Sequence, residues 1–378
     1  MTTTVFFGAA AVIPAFLLTL VLTPLVLKIA HHKNWYDDPD HRKIHSEDIP
    51  RLGGVALFVS VLAMWAAFSL LRVSVSSHFH FIDLLRYLPF LAGMVLIHLV
   101  GLLDDFANLR ARYKLIGQII AGLFVVATNY YFHSVQLPFA ANPIVLGPVG
   151  GRLFTLLWIV GITNAVNLID GLDGLSGGVS ALISLALALS AWSLGSYTAG
   201  FMAFFLFGAL AGFLVYNLPP ARIFMGDSGS LFLGFSLSII PILAFRGPQA
   251  PLALPLGSTL LLLPIFDTLA AILRRMRRRI PLHFPDQEHL HHKLLYLGFS
   301  TRRILLAAYA ATTLSGAAVL AWSLAAGSRP LLPQLPLLPQ LPLALALLTL
   351  AWLLVIGAFS LLDRRYKRRL GPRYYNST

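Results

Sequence analysis

Fifteen carboxylates are spread over 378 residues, and five of them sit in three short acidic segments. Asp104 and Asp105 follow the apolar run VGLL, Asp170 and Asp173 lie in NAVNLIDGLDGL, and Asp227 lies in FMGDSG. Adjacent carboxylates at the end of an apolar run repel each other and lose hydration, so they call for a compensating cation. The chain has no cysteine, which excludes disulfides and thiolate metal sites. An all-oxygen ligand set suits Mg2+ or Mn2+. The glycines of NLIDGLDGLSGG and MGDSGSLFLG allow backbone N–H groups to approach an anion, with a following helix aiming its positive end at it. Gly177 and Gly178 fit helix packing instead. A basic counterpart lies in RRMRRRIPLHFPDQEHLHHKL, where five arginines precede His289, His291 and His292. Arginine forks match phosphate oxygens, and the same cluster also reads as a topogenic, lipid-attracted one. One imidazole group without cysteine or a second metal-ligand motif does not carry a zinc site. If the HLHH segment is helical, His289 and His292 share a face at i,i+3 and His291 points elsewhere. Phosphate chemistry assisted by a divalent cation is the common denominator.

These residues must be positioned by a membrane scaffold. The chain is 57% hydrophobic and 11% charged, with a mean hydropathy of +0.78, a balance no water-soluble domain of this size could cover with polar surface. The expected fold is all-α and polytopic, one domain over 1–378 with about eleven transmembrane helices near 5–30, 53–72, 86–103, 113–129, 152–168, 178–194, 198–216, 229–245, 251–273, 304–326 and 341–362. With the N-terminus outside and the C-terminus inside, the inner loops and helix ends hold 23 Lys and Arg against five outside, which is the asymmetry that sets orientation. The segments 31–52, 104–114, 164–178, 217–229 and 274–303 then all fall at inner helix ends and form one site facing the cytoplasm. A pore would put its ionisable groups at mid-membrane. The net charge of +13 is distributed between apolar runs, so it points to the membrane surface and away from nucleic acid.

On RKIHSEDIPRLGG, GLLDDFANLRARYKL, NAVNLIDGLDGL, FMGDSGS and DQEHLHHKLLYLGFS, in that order, the chain resembles the bacterial polyprenyl-phosphate N-acetylhexosamine-1-phosphate transferases of the WecA/TagO type. The resemblance implies a multi-pass enzyme of the bacterial inner (plasma) membrane that joins GlcNAc-1-phosphate from UDP-GlcNAc to polyprenyl (undecaprenyl) phosphate and releases UMP. It implies that Asp227 and Asn167 hold Mg2+ and that Phe224, Asp173 and Gly171 meet the uridine. Asp104 and Asp105 become the essential pair near the attacking lipid phosphate. Lys114, Asn108, Arg275, His289, His291 and His292 become phosphate or sugar contacts. Asn164, Asp170, Lys43, His45 and Asp267 are further candidates, Asp267 as a helix-packing or supporting group. Asn108 replaces the third acid of the DDxxD pattern seen in many members, which excludes a third catalytic carboxylate there. HLHH in place of the consecutive HHH of MurNAc-pentapeptide transferases favours UDP-GlcNAc over UDP-MurNAc-pentapeptide. The alternatives are another UDP-HexNAc or, in a different class, a lipid-phosphate carrier or scramblase. Membrane lipid is a partner in every case, and a homodimer is compatible with the sequence.

Overall fold

The computed structural model describes residues 2–36, 49–75, 87–136, 142–281, 288–326 and 337–370. In chain order they form α1 (Thr2–Lys33), α2 (Gly53–Val75), α3 (Leu88–Ala107), α4 (Ala111–Val126), α5 (Gly147–Leu168) and α6 (Leu175–Ser193). Between α4 and α5 lies an antiparallel two-residue pair, β1 (Ser134–Val135) with β2 (Ile144–Val145). Then come α7 (Tyr197–Asn217), α8 (Gly226–Ala244), a 3-10 turn (Gly247–Leu252), α9 (Ala253–Leu260), α10 (Leu262–Arg277), α11 (Leu290–Tyr296), α12 (Thr301–Ala326) and α13 (Leu337–Leu370). The all-α, polytopic expectation holds.

Ten of the eleven apolar segments each lie largely on one helix, and the eleventh, 251–273, is divided between α9 and α10. Among the described residues, eight helices are long and apolar enough to cross a membrane, and α9 with α10 makes a ninth when the bent pair is counted as one span. The other two segments lie on α4, 16 residues or about 24 Å long, and on α13, which runs for 34 residues. Residues 251–273, expected as one span, are broken after Leu260, and the two pieces meet at 76°. Pro264 has no N–H to return to the Leu260 carbonyl, and its ring crowds that carbonyl, so the helix restarts in a new direction.

The bundle is organised around α8, which packs against α2, α3, α5, α6, α7 and α9. Residues Ser228 to Ala244 are buried without interruption, so this helix carries no lipid-facing stripe and can hold serines at 228, 230, 236 and 238. The outer helix α1 shows the opposite pattern: Ile13, Leu17, Val21, Leu25 and Ile29 are exposed at intervals of four, a stripe along one face. Its other face packs on α7, where Gly212 brings the helices so close that a Cβ would lie 2.5 Å from Phe16 O.

The start of α2, the end of α3 and the start of α8 meet backbone to backbone. Gly53 N–H donates to Phe224 O (2.9 Å), Gly54 N–H to Met225 O (2.8 Å) and Phe224 N–H to Pro50 O (2.9 Å). A Cβ on Gly54 would lie 2.5 Å from Gly229 Cα, and one on Gly101 would lie 2.6 Å from the Asp227 carbonyl carbon. Only hydrogen fits at either position. Gly177 and Gly178 pack as expected, the latter against the Tyr309 ring.

Candidate active site

Three helices bring the acidic segments to one point. The last turn of α3 presents Asp104 and Asp105, and Asn108 closes that turn in the left-handed region (φ 46°) with its N–H on Asp104 O. The chain then starts α4, whose first turn carries Lys114. Lys114 Nζ donates to Asp104 Oδ2 (2.9 Å) and to Asp227 Oδ2 (2.8 Å). Asn167, near the end of α5, donates from Nδ2 to Asp227 Oδ1 (2.8 Å) and to Ser230 Oγ (2.8 Å). Asp104, Lys114, Asp227 and Asn167, from four segments of sequence, thus form one hydrogen-bonded cluster. The side chains of Lys114 and Asp227 each keep 25% of their exposure, so the cluster can be reached from solvent.

Asp105 does a different task from its neighbour. Its Oδ1 accepts Asp227 N–H (2.7 Å) and its Oδ2 accepts Ser228 N–H (3.0 Å). The N–H groups at the start of α8, which the glycine pattern assigned to a bound anion, are taken here by the chain's own Asp105 carboxyl. Asp105 therefore fixes the turn that carries Asp227. His98 supports the same turn by donating from Nδ1 to Ser228 O (3.1 Å) while stacking on Phe58 at 4.0 Å.

Asp170 lies in the loop between α5 and α6. Burial, then the negative charges of Asp227 and Asp105, push its carboxyl up to about 8 against the pull of Arg51. Asp170 is thus mostly protonated at neutral pH, a sign of how crowded with carboxyl groups this locality is, and a divalent cation would relieve that crowding. Among the described residues no group of three or more His, Asp or Glu side chains is spaced to hold a metal by itself. One carboxylate and one amide nevertheless fit Mg2+, which takes one or two protein ligands and completes its shell with substrate phosphates and water. Asn167 would contribute by turning its amide oxygen toward Asp227.

The histidine segment approaches the same loop from above α10. Asp267 takes His289 Nδ1 on Oδ2 (2.8 Å) and Leu290 N–H on Oδ1 (2.8 Å), so its part is to anchor this segment. His289 is extended (φ −61°, ψ 156°) and precedes the helix, so the expected i,i+3 pairing with His292 does not form. The ring pairs are instead His289 with His291, parallel at 6.2 Å, and His291 with His292 at 4.2 Å. His291 is the one that meets the acidic loop: a Cβ on Gly171 would lie 2.5 Å from its Nε2. Burial, then the neighbouring His292, hold His291 down to about 3, so it is neutral at pH 7, and its buried Nε2 has no hydrogen-bond partner.

Other expected residues stand apart from the cluster. Asp173 is buried and accepts Ala221 N–H (3.1 Å), which ties the NLIDGLDGL loop to the segment before Phe224. Phe224 is partly exposed with its backbone paired to Pro50 and Gly53. Asn164 pairs with Gln118 across α4 and α5 (2.6 and 3.2 Å) and does not reach Asp227. Arg275 lies in the last turn of α10, and its buried Nε has no hydrogen-bond partner. Lys43 and His45 lie outside the described residues. Ser230, Gln118 and His98 went unnoticed in the sequence. Ser230 had a signal, being three positions from Asp227 on a helix, whereas a lone histidine in an apolar run has none.

The glycosyl transferase family 4 model matches residues 87–245, which holds α3 to α8 and with them the cluster. A probable undecaprenyl-phosphate N-acetylglucosaminyl 1-phosphate transferase of Bacillus subtilis is 37% identical over 79% of this chain and 80% of its own length. A decaprenyl-phosphate N-acetylglucosaminephosphotransferase of Mycobacterium leprae is 31% identical over 78% of each chain. An undecaprenyl-phosphate alpha-N-acetylglucosaminyl 1-phosphate transferase of Salmonella typhi is 29% identical over 82% of each.

Proposed function

Because the chain belongs to glycosyl transferase family 4, we propose that its cluster transfers N-acetylglucosamine 1-phosphate from UDP-GlcNAc to a polyprenyl phosphate. The observation that carries the reading is Lys114 held between Asp104 and Asp227, a cation flanked by two carboxylates at the end of an apolar helix bundle. An oxygen of the lipid phosphate attacks the β-phosphorus, the bond from that phosphorus to the UMP oxygen breaks, and UMP leaves with the electron pair. A phosphate monoester has a second pKa near about 6, so the nucleophile is largely dianionic at neutral pH and needs little help from a base. What it needs is relief from anion–anion repulsion.

In this reading Asp227 and Asn167 would hold Mg2+, which when bound supplies positive charge to the donor's pyrophosphate oxygens. Lys114 leaves its carboxylates to meet a phosphate oxygen. Asp104 faces the acceptor and orients it, while Asp105 acts through the α8 turn, since both its oxygens are taken by backbone N–H groups. Phe224 offers a partly exposed ring to the uracil. His289 and His291, one anchored by Asp267 and the other against Gly171, face the donor's phosphates or sugar.

The test is UMP release by purified protein given polyprenyl phosphate, Mg2+ and a panel of UDP-sugars. UDP-GlcNAc should be turned over, and Asp104→Asn should lower kcat by at least about tenfold with KM for UDP-GlcNAc little changed. No UMP from any UDP-sugar would reject the reading, and turnover of UDP-MurNAc-pentapeptide alone would reject the sugar. We place the site at the cytoplasmic face of a bacterial inner membrane on the Lys and Arg asymmetry. A reporter fused after Thr378 should then be cytoplasmic, and an external signal would overturn the orientation.

A further inference from the structure

The six Lys and Arg after Leu362 count in the sequence toward the inside charge asymmetry, yet the first charge in that stretch is an acid. Asp363 lies on α13 and binds a lysine of the histidine helix: Lys293 Nζ donates to Asp363 Oδ1 (2.6 Å), and Lys367 bridges to Asp363 Oδ2 (2.6 Å). Lys293 is buried, with 6% of its surface exposed, and its ammonium also lies 5.2 Å from the Tyr366 ring centre. A buried lysine is costly without a partner; Asp363 is the close one, with Glu288 Oε2 farther off at 3.8 Å. Two more contacts follow along α13: Tyr366 meets Tyr296 edge-on at 5.3 Å, and Arg369 donates to Leu297 O (2.9 Å).

The seven-residue α11 is too short to hold its shape alone and is gripped from two sides. Asp267 on α10 fixes His289 and the first N–H of the helix. On the other side α13 fixes Lys293 and Leu297. His291, between the two grips, rests against Gly171 of the acidic loop. Burial works against the Asp363 carboxylate, but Lys293 and Lys367 hold it charged, below the usual carboxylate range. A topogenic cluster gains from positive charge alone, so it gives no reason for an acid here.

We propose that Asp363 is a positioning residue, which through Lys293 holds α11 so that His289 and His291 stay aligned on the donor. The inner end of the last helix is therefore part of the catalytic apparatus as well as a membrane anchor. The inference rests on the transfer reaction proposed above. Asp363→Ala should lower kcat/KM for UDP-GlcNAc about tenfold, since displacing a positioned group by even 1 Å can cost up to ~100-fold. KM for polyprenyl phosphate and the Mg2+ dependence should stay within about twofold, because Asp104, Lys114 and Asp227 are on other elements. Asp363→Glu should recover most of the loss. In the Asp363→Ala, His289→Ala double variant the cost should be less than the product of the two single losses, as expected when one residue acts through the other. The thermal midpoint of each variant in detergent separates positioning from a loss of folded protein. Wild-type kcat/KM for Asp363→Ala, or a loss accounted for wholly by less folded enzyme, overturns the inference. Fully multiplicative losses in the double variant overturn it as well. Wild-type protein that releases no UMP brings down the function reading itself, a result separate from all of these.

Discussion

Asp227→Asn should leave less than about 1% of wild-type turnover, the scale on which removing a group that stabilises developing charge lowers kcat. Asp227 is the hub of the cluster, with Lys114 on one oxygen, Asn167 on the other and its own N–H on Asp105. The amide keeps the size and one acceptor but removes the charge that both a lysine and a divalent cation need. Little unfolding is expected, since the cap of α8 uses the backbone of residue 227 and not its side chain. The measurement is UMP release across a Mg2+ titration, where the residual activity should need more metal than wild type. Near-normal turnover at limiting Mg2+ would sink the metal assignment and leave the helix geometry intact.

The second large effect is steric. Gly54→Leu should yield little active protein, and Gly54→Ala should lower activity at least about tenfold, because the methyl would lie 2.5 Å from both Gly229 Cα and Ser228 Oγ. α8 cannot yield without carrying Asp227 with it, and α2 cannot yield without straining its bonds to Phe224 and Met225, just before Asp227. Overpacking of this kind costs about 1–3 kcal/mol in stability, and the catalytic loss should exceed that, since a shift of 1 Å in a positioned group can cost up to ~100-fold in rate. Gly161→Ala is the control: nothing lies within 4 Å of a Cβ there, and activity should be unchanged. Wild-type activity in Gly54→Ala would show that the contact between α2 and α8 does not set the position of Asp227.

Much of this arrangement is written in residue types. Apolar length marks where the helices run, because a bilayer imposes its thickness on the sequence. Scarcity makes the acids conspicuous, so Asp104 and Asp227 stand out in the sequence alone, whereas Asn167 is named only through the family resemblance. Which carboxylate does what is not in the sequence. Asp104 and Asp105 are adjacent and chemically identical, and only the side of α3 on which each emerges sends one to Lys114 and the other to the start of α8. The bend at Leu261 was signalled by Pro264 but is invisible to a hydropathy average, which counts proline as a mild interruption. The pairing of Asp363 with Lys293 joins residues 70 apart, and charges in a basic tail carry no mark of their partners.

The burial of α8 bears on how the molecule is made. Membrane helices leave the insertion machinery one after another, and each must first be tolerated by lipid. Sequential order puts α2, α3, α5, α6 and α7 in the bilayer before α8 and leaves α9 to follow, while the finished α8 touches all six. It must therefore enter between helices that have already been delivered, or be enclosed by their rearrangement. The bonds from Pro50, Gly53 and Gly54 to Phe224 and Met225 can close only then, after some 170 intervening residues have been synthesised. The hydrogen-bonded cluster is thus incomplete on a growing chain: Asp104 and Lys114 can pair with each other, but Asp227 is missing until the eighth helix arrives.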